Sequence, residues 1–274
     1  MQVKTKKRIF NILKIVVAVY CLGGIALWEL QDKILLHPKS LPAVYVFPIA
    51  APHEGVTIQL NENDQLHFIK FFPADTNTTR GVVLYFHGNR DNINRYASYA
   101  DNFTKHGYEV WMPDYPGFGK TTGVFTEERL YNDAGLLYKM VSKRFSADSI
   151  ILYGRSLGTG VASELATHAA CKRLILETPY YSFPSLAASH FPIYPTERMM
   201  HFRFPVFEYI PMVKAPVTVF HGTKDEIIPY RNSLKLKGAL KKGDEYIVIE
   251  KGKHNNLNDF PFFHQKLDSL LKIN

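Results

Sequence analysis

Cysteine is scarce in this 274-residue chain: Cys21 lies in an apolar N-terminal stretch and Cys171 just before a β-branched run. A disulfide would have to tie the apolar stretch to the core, and neither thiol belongs to a Cys/His cluster with zinc-ligand spacing. Internal repeats and low-complexity tracts are missing too. So is any basic stripe interleaved with aromatics, which leaves nucleic-acid binding without a footprint despite a formal net charge of +8. Acidic residues are absent from the first 28 positions. Half of the positive excess, +4, falls within the first 30, where Lys4, Lys6, Lys7, Arg8 and Lys14 are set against Glu29. With 46% hydrophobic and 21% charged residues, most of the chain should fold in water, as neither a disordered chain nor a bundle of membrane spans.

Residues 9–28 are apolar apart from Asn11 and Lys14, about the 20 residues needed to cross a hydrocarbon layer of roughly 30 Å. The basic cluster precedes this run and Trp28 closes it, as an interfacial aromatic does. The positive-inside rule then predicts a single-pass anchor over residues 1–30, with the N-terminus in the cytoplasm and the rest on the opposite side. A cleaved signal peptide and a buried helix of a soluble protein are the competing readings. For the first, Gly24 and Ala26 are followed by Leu27-Trp28, a poor cleavage site. Residues 31–52, rich in Pro and aromatics, read as an extended connector, and 53–274 as the catalytic domain.

Beyond the connector, short β-branched runs alternate with helical periods. Strands are predicted at 56–60 and 66–72 around the hairpin signal Asn61-Glu62-Asn63-Asp64, then at 81–86, 108–112, 149–153, 173–176, 217–220 and 246–249. Helices are predicted near 93–106, 126–145, 157–170, 230–240 and 260–271. This rhythm indicates an α/β fold whose mostly parallel central sheet has helices on both faces. Residues 180–213 break it with Pro184, Pro192, Pro195, Pro205 and Pro211 among many aromatics, and read as a small cap insertion above the sheet.

Gly154-Arg155-Ser156-Leu157-Gly158 lies between a predicted strand and a predicted helix. A nucleophile elbow needs that setting, with a serine on a strained turn and small flanking residues to avoid collision. A serine hydroxyl needs a base, and the base an orienting acid, in the chain order Ser, Asp or Glu, His. Asp225 and His254 follow the strands 217–220 and 246–249, so three loops meet at the carboxyl edge where ligands bind in open α/β sheets. Glu226, Asp244 and Asp114 are alternatives for the acid, though Asp114 is better suited to holding the Gly-rich loop 113–119. The oxyanion would be met by the backbone N–H groups of Leu157 and of Asn89, which follows His87-Gly88. Phe183, Phe191, Tyr194, Phe202, Phe204 and Phe207 are candidates for an acyl pocket, or for packing the cap without a ligand. This chemistry requires no metal or organic cofactor. None of the proposed catalytic groups precedes His87, so the anchor is expected to govern only which substrates are met.

Together, Phe86-His87-Gly88-Asn89, Asp114-Tyr115-Pro116-Gly117-Phe118-Gly119, the elbow, His221-Gly222-Thr223-Lys224-Asp225 and Gly252-Lys253-His254-Asn255 resemble the motif set of α/β-hydrolases. The nearest branch is the Bem46-like, ABHD-type single-pass group, from about residue 35 to the C-terminus. Pro116 departs from it where relatives often carry Arg, so a salt bridge from that loop is not expected. The resemblance implies a membrane-anchored serine hydrolase acting on a carboxylic ester or thioester of a small-molecule or lipid substrate. Two rivals stand beside it. A prolyl-oligopeptidase-type peptidase shares the triad order but usually carries a large preceding domain, and fewer than 60 residues separate the anchor from the strand before His87. A non-catalytic hydrolase-fold binding protein would have no reason to keep all three groups.

Overall fold

The structure, a computed structural model, describes residues 2–75 and 79–272, with the Lys4 side chain of the basic cluster outside that description. Its eight-stranded sheet comprises β1 (His53–Gln59), β2 (Gln65–Phe71), β3 (Gly81–Phe86), β4 (Tyr108–Pro113), β5 (Ile150–Arg155), β6 (Arg173–Glu177), β7 (Val217–Gly222) and β8 (Glu245–Ile249). The spatial order is β8-β7-β6-β5-β3-β4-β2-β1. β1 and β2 form an antiparallel hairpin in which His53 faces Phe71. Its turn is closed by Asn61 Oδ1, which accepts the amides of Asn63 and Asp64. β2 meets β4 antiparallel, and the remaining pairs are parallel. β3, β4, β5 and β7 are buried along their whole length, as strands covered on both faces must be.

Alternation along β3 sorts the core into two halves. Val82, Leu84 and Phe86 join Leu152, Leu174 and Val219 on one side, while Val83 and Tyr85 join Ile151, Ile175 and Phe220 on the other. Three helices carry most of the cover, α2 (Glu127–Val141), α3 (Gly158–His168) and α5 (Pro261–Leu271), while α4 (Phe183–His190) lies between α3 and α5 in the chain and belongs to the insertion above the sheet. In α2 the cap is Thr126, which accepts the Arg129 amide, and Leu130, Ala134, Leu137 and Val141 recur at helical spacing on the buried face. Two predicted helices prove to be interrupted. Residues 93–106 divide into Ile93–Tyr96, a 3₁₀ segment Ala97–Ala100 and Asp101–Thr104, because Asn, Ser, Tyr and Asp supply little helical propensity and Tyr96 turns in to stack on His87. After Tyr230–Leu234 the chain tightens into 3₁₀ as Asn232 is drawn inward to bond Ser185 and Ser189.

At the N-terminus, α1 (Gln2–Leu35) is a single helix of 34 residues. Residues Thr5–Leu35 of it are long and apolar enough to cross a membrane, by length and composition, alone among the described helices. It runs past Trp28 into the predicted connector because no breaker intervenes before Pro38. The connector then lies on the domain: His37–Pro38 pairs in parallel with Arg90–Asp91, Ser40 bridges Gly119, and Phe47 packs edge-on against His67.

The insertion 180–213 holds α4 and the short turns Thr196–Met199 and Val206–Tyr209. It leans on α1. Tyr20 and Tyr194 stack with centroids 4.8 Å apart, and Trp28 meets His201 edge-on at 4.8 Å. Gln31, only 6% exposed, donates to the Met199 carbonyl at 3.0 Å and accepts the His201 amide at 2.8 Å. Tyr194 fits because Gly23 has no side chain; a Cβ there would lie 2.4 Å from the tyrosine hydroxyl.

Candidate active site

The turn between β5 and α3 places Ser156 at φ 52°, a left-handed conformation costly for a side-chain-bearing residue. Its neighbours explain how the turn is tolerated. A Cβ on Gly154 would meet the Gly158 carbonyl at 2.4 Å, and one on Gly158 would meet the Phe86 carbonyl at 2.0 Å. The Ser156 amide donates to Glu177 on β6 at 2.9 Å, and its carbonyl accepts from the Thr159 amide and hydroxyl.

From the ends of β7 and β8, Asp225 and His254 reach the same point. His254 Nδ1 donates to Asp225 Oδ2 at 2.8 Å, which leaves Nε2 free to accept the Ser156 hydroxyl at 3.0 Å. All three residues are buried. Asp225 Oδ1 accepts the amides of Ile227 and Ile228 at 2.9 and 2.8 Å, so the carboxylate is fixed from both sides. His221 lies beside it, 3.5 Å from Oδ2, and donates to the Ile228 carbonyl. Burial pushes the His221 imidazole below its usual range against the pull of Asp225, so this ring stays neutral near the acid.

Beneath the serine, Arg155 and Glu177 form a buried ion pair at 3.5 Å, with Arg155 lying over the Tyr99 ring at 4.3 Å. Asp114 belongs to another cluster: it accepts the Ile93 amide at 2.9 Å and lies 3.3 Å from His87 Nε2. Burial pushes the Asp114 carboxyl upward, opposed by His87. Its carboxylate also fills the turn at Gly119, where a Cβ would lie 1.9 Å from Asp114 Oδ2. Among the described residues no three His, Cys, Asp or Glu side chains converge as a metal site.

Above Ser156 a cavity of about 360 Å³ opens between the cap, the loop 226–228 and α1. Leu157 and Asn89 line it together with Ser156. Asn89 also links the loop to the N-terminal helix, since its side-chain amide donates to the Leu35 carbonyl and its own carbonyl accepts the His37 amide.

A family model described as serine aminopeptidase, S33, matches residues 77–209. An uncharacterised protein of Mycobacterium tuberculosis is 28% identical over 244 residues, 88% of this chain and 86% of that one. Human alpha/beta hydrolase domain-containing protein 17C is 29% identical over 209 residues, 74% of this chain and 60% of that longer protein. Among solved structures, a Pyrococcus furiosus esterase superposes with a TM-score of 0.65 at 16% identity, covering 86% of this chain and 97% of that one. A soluble variant of Saccharomyces cerevisiae monoglyceride lipase gives 0.62 at 17%, covering 85% and 100%. The chain has the α/β-hydrolase fold.

Within this α/β-hydrolase fold, Phe183, Phe191 and Tyr194 of the expected pocket do line the cavity. Phe202, Phe204 and Phe207 do not. Phe202 packs on Phe125 and Phe204 is fully buried between Phe183 and Tyr131, so these two hold the cap to the domain, while Phe207 stacks on Tyr181 at 4.2 Å within the cap. Sequence reasoning also missed a wall of the cavity. Leu27, Gln31, Ile34 and Leu35 of α1 line it, together with Met199 and Ile228. The signal was present, since positions i, i+4, i+7 and i+8 share one face of a helix. It was hidden by ending the helix at Trp28.

Proposed function

We propose that this protein is a membrane-anchored serine hydrolase of the α/β-hydrolase family, cleaving carboxylic esters or thioesters of acyl, lipid-like substrates. The observation that carries the reading is the continuous Ser156–His254–Asp225 hydrogen-bond chain at the floor of an apolar cavity. Ser156 Oγ attacks the acyl carbon while His254 Nε2 takes its proton, and Asp225 holds the ring in that tautomer and stabilises the imidazolium. The carbonyl oxygen, now an anion, is met by the backbone N–H groups of Leu157 and Asn89. Collapse expels the alcohol or thiol, protonated by His254, and water then repeats the sequence on the acyl-enzyme. A fluorophosphonate probe should label Ser156 and no other serine. Labelling that survives Ser156→Ala would overturn the assignment.

The name of the matching family favours a second reading, an aminopeptidase. Such an enzyme needs an anion to hold the substrate's amino terminus. Glu226 lines the cavity, but its side chain is 61% exposed and pairs with Lys253 at 3.3 Å. Comparing p-nitrophenyl esters with aminoacyl p-nitroanilides separates the two: the ester reading requires turnover of the first and little of the second.

A further inference from the structure

The cavity is not closed by the hydrolase domain alone. One side of it is the last two turns of α1, where Leu27, Gln31, Ile34 and Leu35 face the cap. Below them on the same helix, Tyr194 of the cap stacks on Tyr20 and donates to its carbonyl at 3.2 Å. Tyr20 precedes Trp28 by eight residues, about 12 Å along a helix. With Trp28 at the membrane boundary, the cap edge thus reaches the level of the hydrocarbon, and there it presents Ile193, 68% exposed, and Phe191. The cavity lies between that edge and the buried serine.

We propose that the exit turns of α1 are part of the acyl-binding site. An acyl chain slides from the leaflet along Leu27, Ile34 and Leu35 and presents its carbonyl to Ser156. The proposal rests on the ester-hydrolase reading above and adds to it a binding role for the helix that crosses the membrane. Gln31 positions that wall by its bonds to Met199 and His201.

The test uses the full-length protein in detergent micelles and reads the ratio of kcat/KM for p-nitrophenyl dodecanoate to that for p-nitrophenyl acetate. Ile34→Trp and Leu27→Trp, which fill the cavity, should lower the ratio at least tenfold. Ile34→Ala, which removes part of the wall along which the chain lies, should also move the ratio. Leu22→Trp, on the exposed face of α1, should keep the wild-type ratio. The rate of Ser156 labelling by a small fluorophosphonate reports that each variant is folded. A ratio unmoved in all three cavity variants that label normally would overturn the proposal and leave the ester reading intact. Wild-type protein that labels at Ser156 yet cleaves neither ester would overturn both.

Discussion

Asp225 divides its oxygens between His254 on one side and the amides of Ile227 and Ile228 on the other. Asp225→Asn keeps the shape but favours the wrong imidazole tautomer, and kcat should fall on the order of 10⁴-fold, by analogy with the serine-protease triad. Asp114→Asn should cost far less, because Asp114 faces Ile93 and His87 rather than His254. A comparison of the two variants on one soluble ester checks the assignment. Under the serine, Arg155→Met would leave the buried Glu177 carboxylate without its cation, with the Tyr153 hydroxyl as its remaining side-chain donor. Breaking a buried pair costs about 3–5 kcal/mol, to be seen as a lower midpoint in chemical denaturation. His67, buried beneath the Phe47 ring, offers a pH signature. Burial, helped by Lys120, lowers its pKa from 6.5 to about 4. Because the folded value is the lower one, the neutral ring contributes fully above the unfolded pKa. That contribution drains away as pH falls toward 4, by about 3 kcal/mol in all. His67→Gln should flatten the stability curve between those limits.

Among the elements, α1 is the one whose role differs most from expectation. None of the proposed catalytic groups precedes His87, which suggested that residues 1–30 decide only which substrates are met. Yet Leu27 belongs to the cavity wall, and Leu35 accepts the Asn89 side chain. Removing residues 1–30 should therefore depress turnover of long-chain esters even in free solution, measured against the acetate. Gln31→Ala should loosen the cap more narrowly, since Met199 and His201 lose their partner. Limited proteolysis should then cut faster within 190–205. The sheet was legible because its evidence is local: β3 spans Gly81–Phe86 as its apolar run predicts, and the elbow announces itself in five consecutive residues. The cavity was not. Whether an aromatic lines a space or fills a core depends on what faces it, and Phe183 and Phe204, 4.9 Å apart, fall on opposite sides of that distinction. The wall from α1 is further still from view, as its partners lie about 170 residues away in sequence.

For the whole molecule, the reading places basic residues 6–8 in the cytoplasm and Ser156 across the membrane. An N-terminal tag should be reached by antibody only after permeabilisation, and a C-terminal tag before it; the reverse pattern would invert the topology. The stack of Tyr20 on Tyr194 has a consequence for how the protein is made, because it joins residues 174 positions apart. Synthesis delivers α1 first and its partner only when about two thirds of the chain exists, after β1 to β6 have emerged. Contacts of such separation form slowly. Through that interval the glycines and tyrosine of α1 wait without their counterpart, an apolar surface that a chaperone or the bilayer itself has to shelter until the cap arrives.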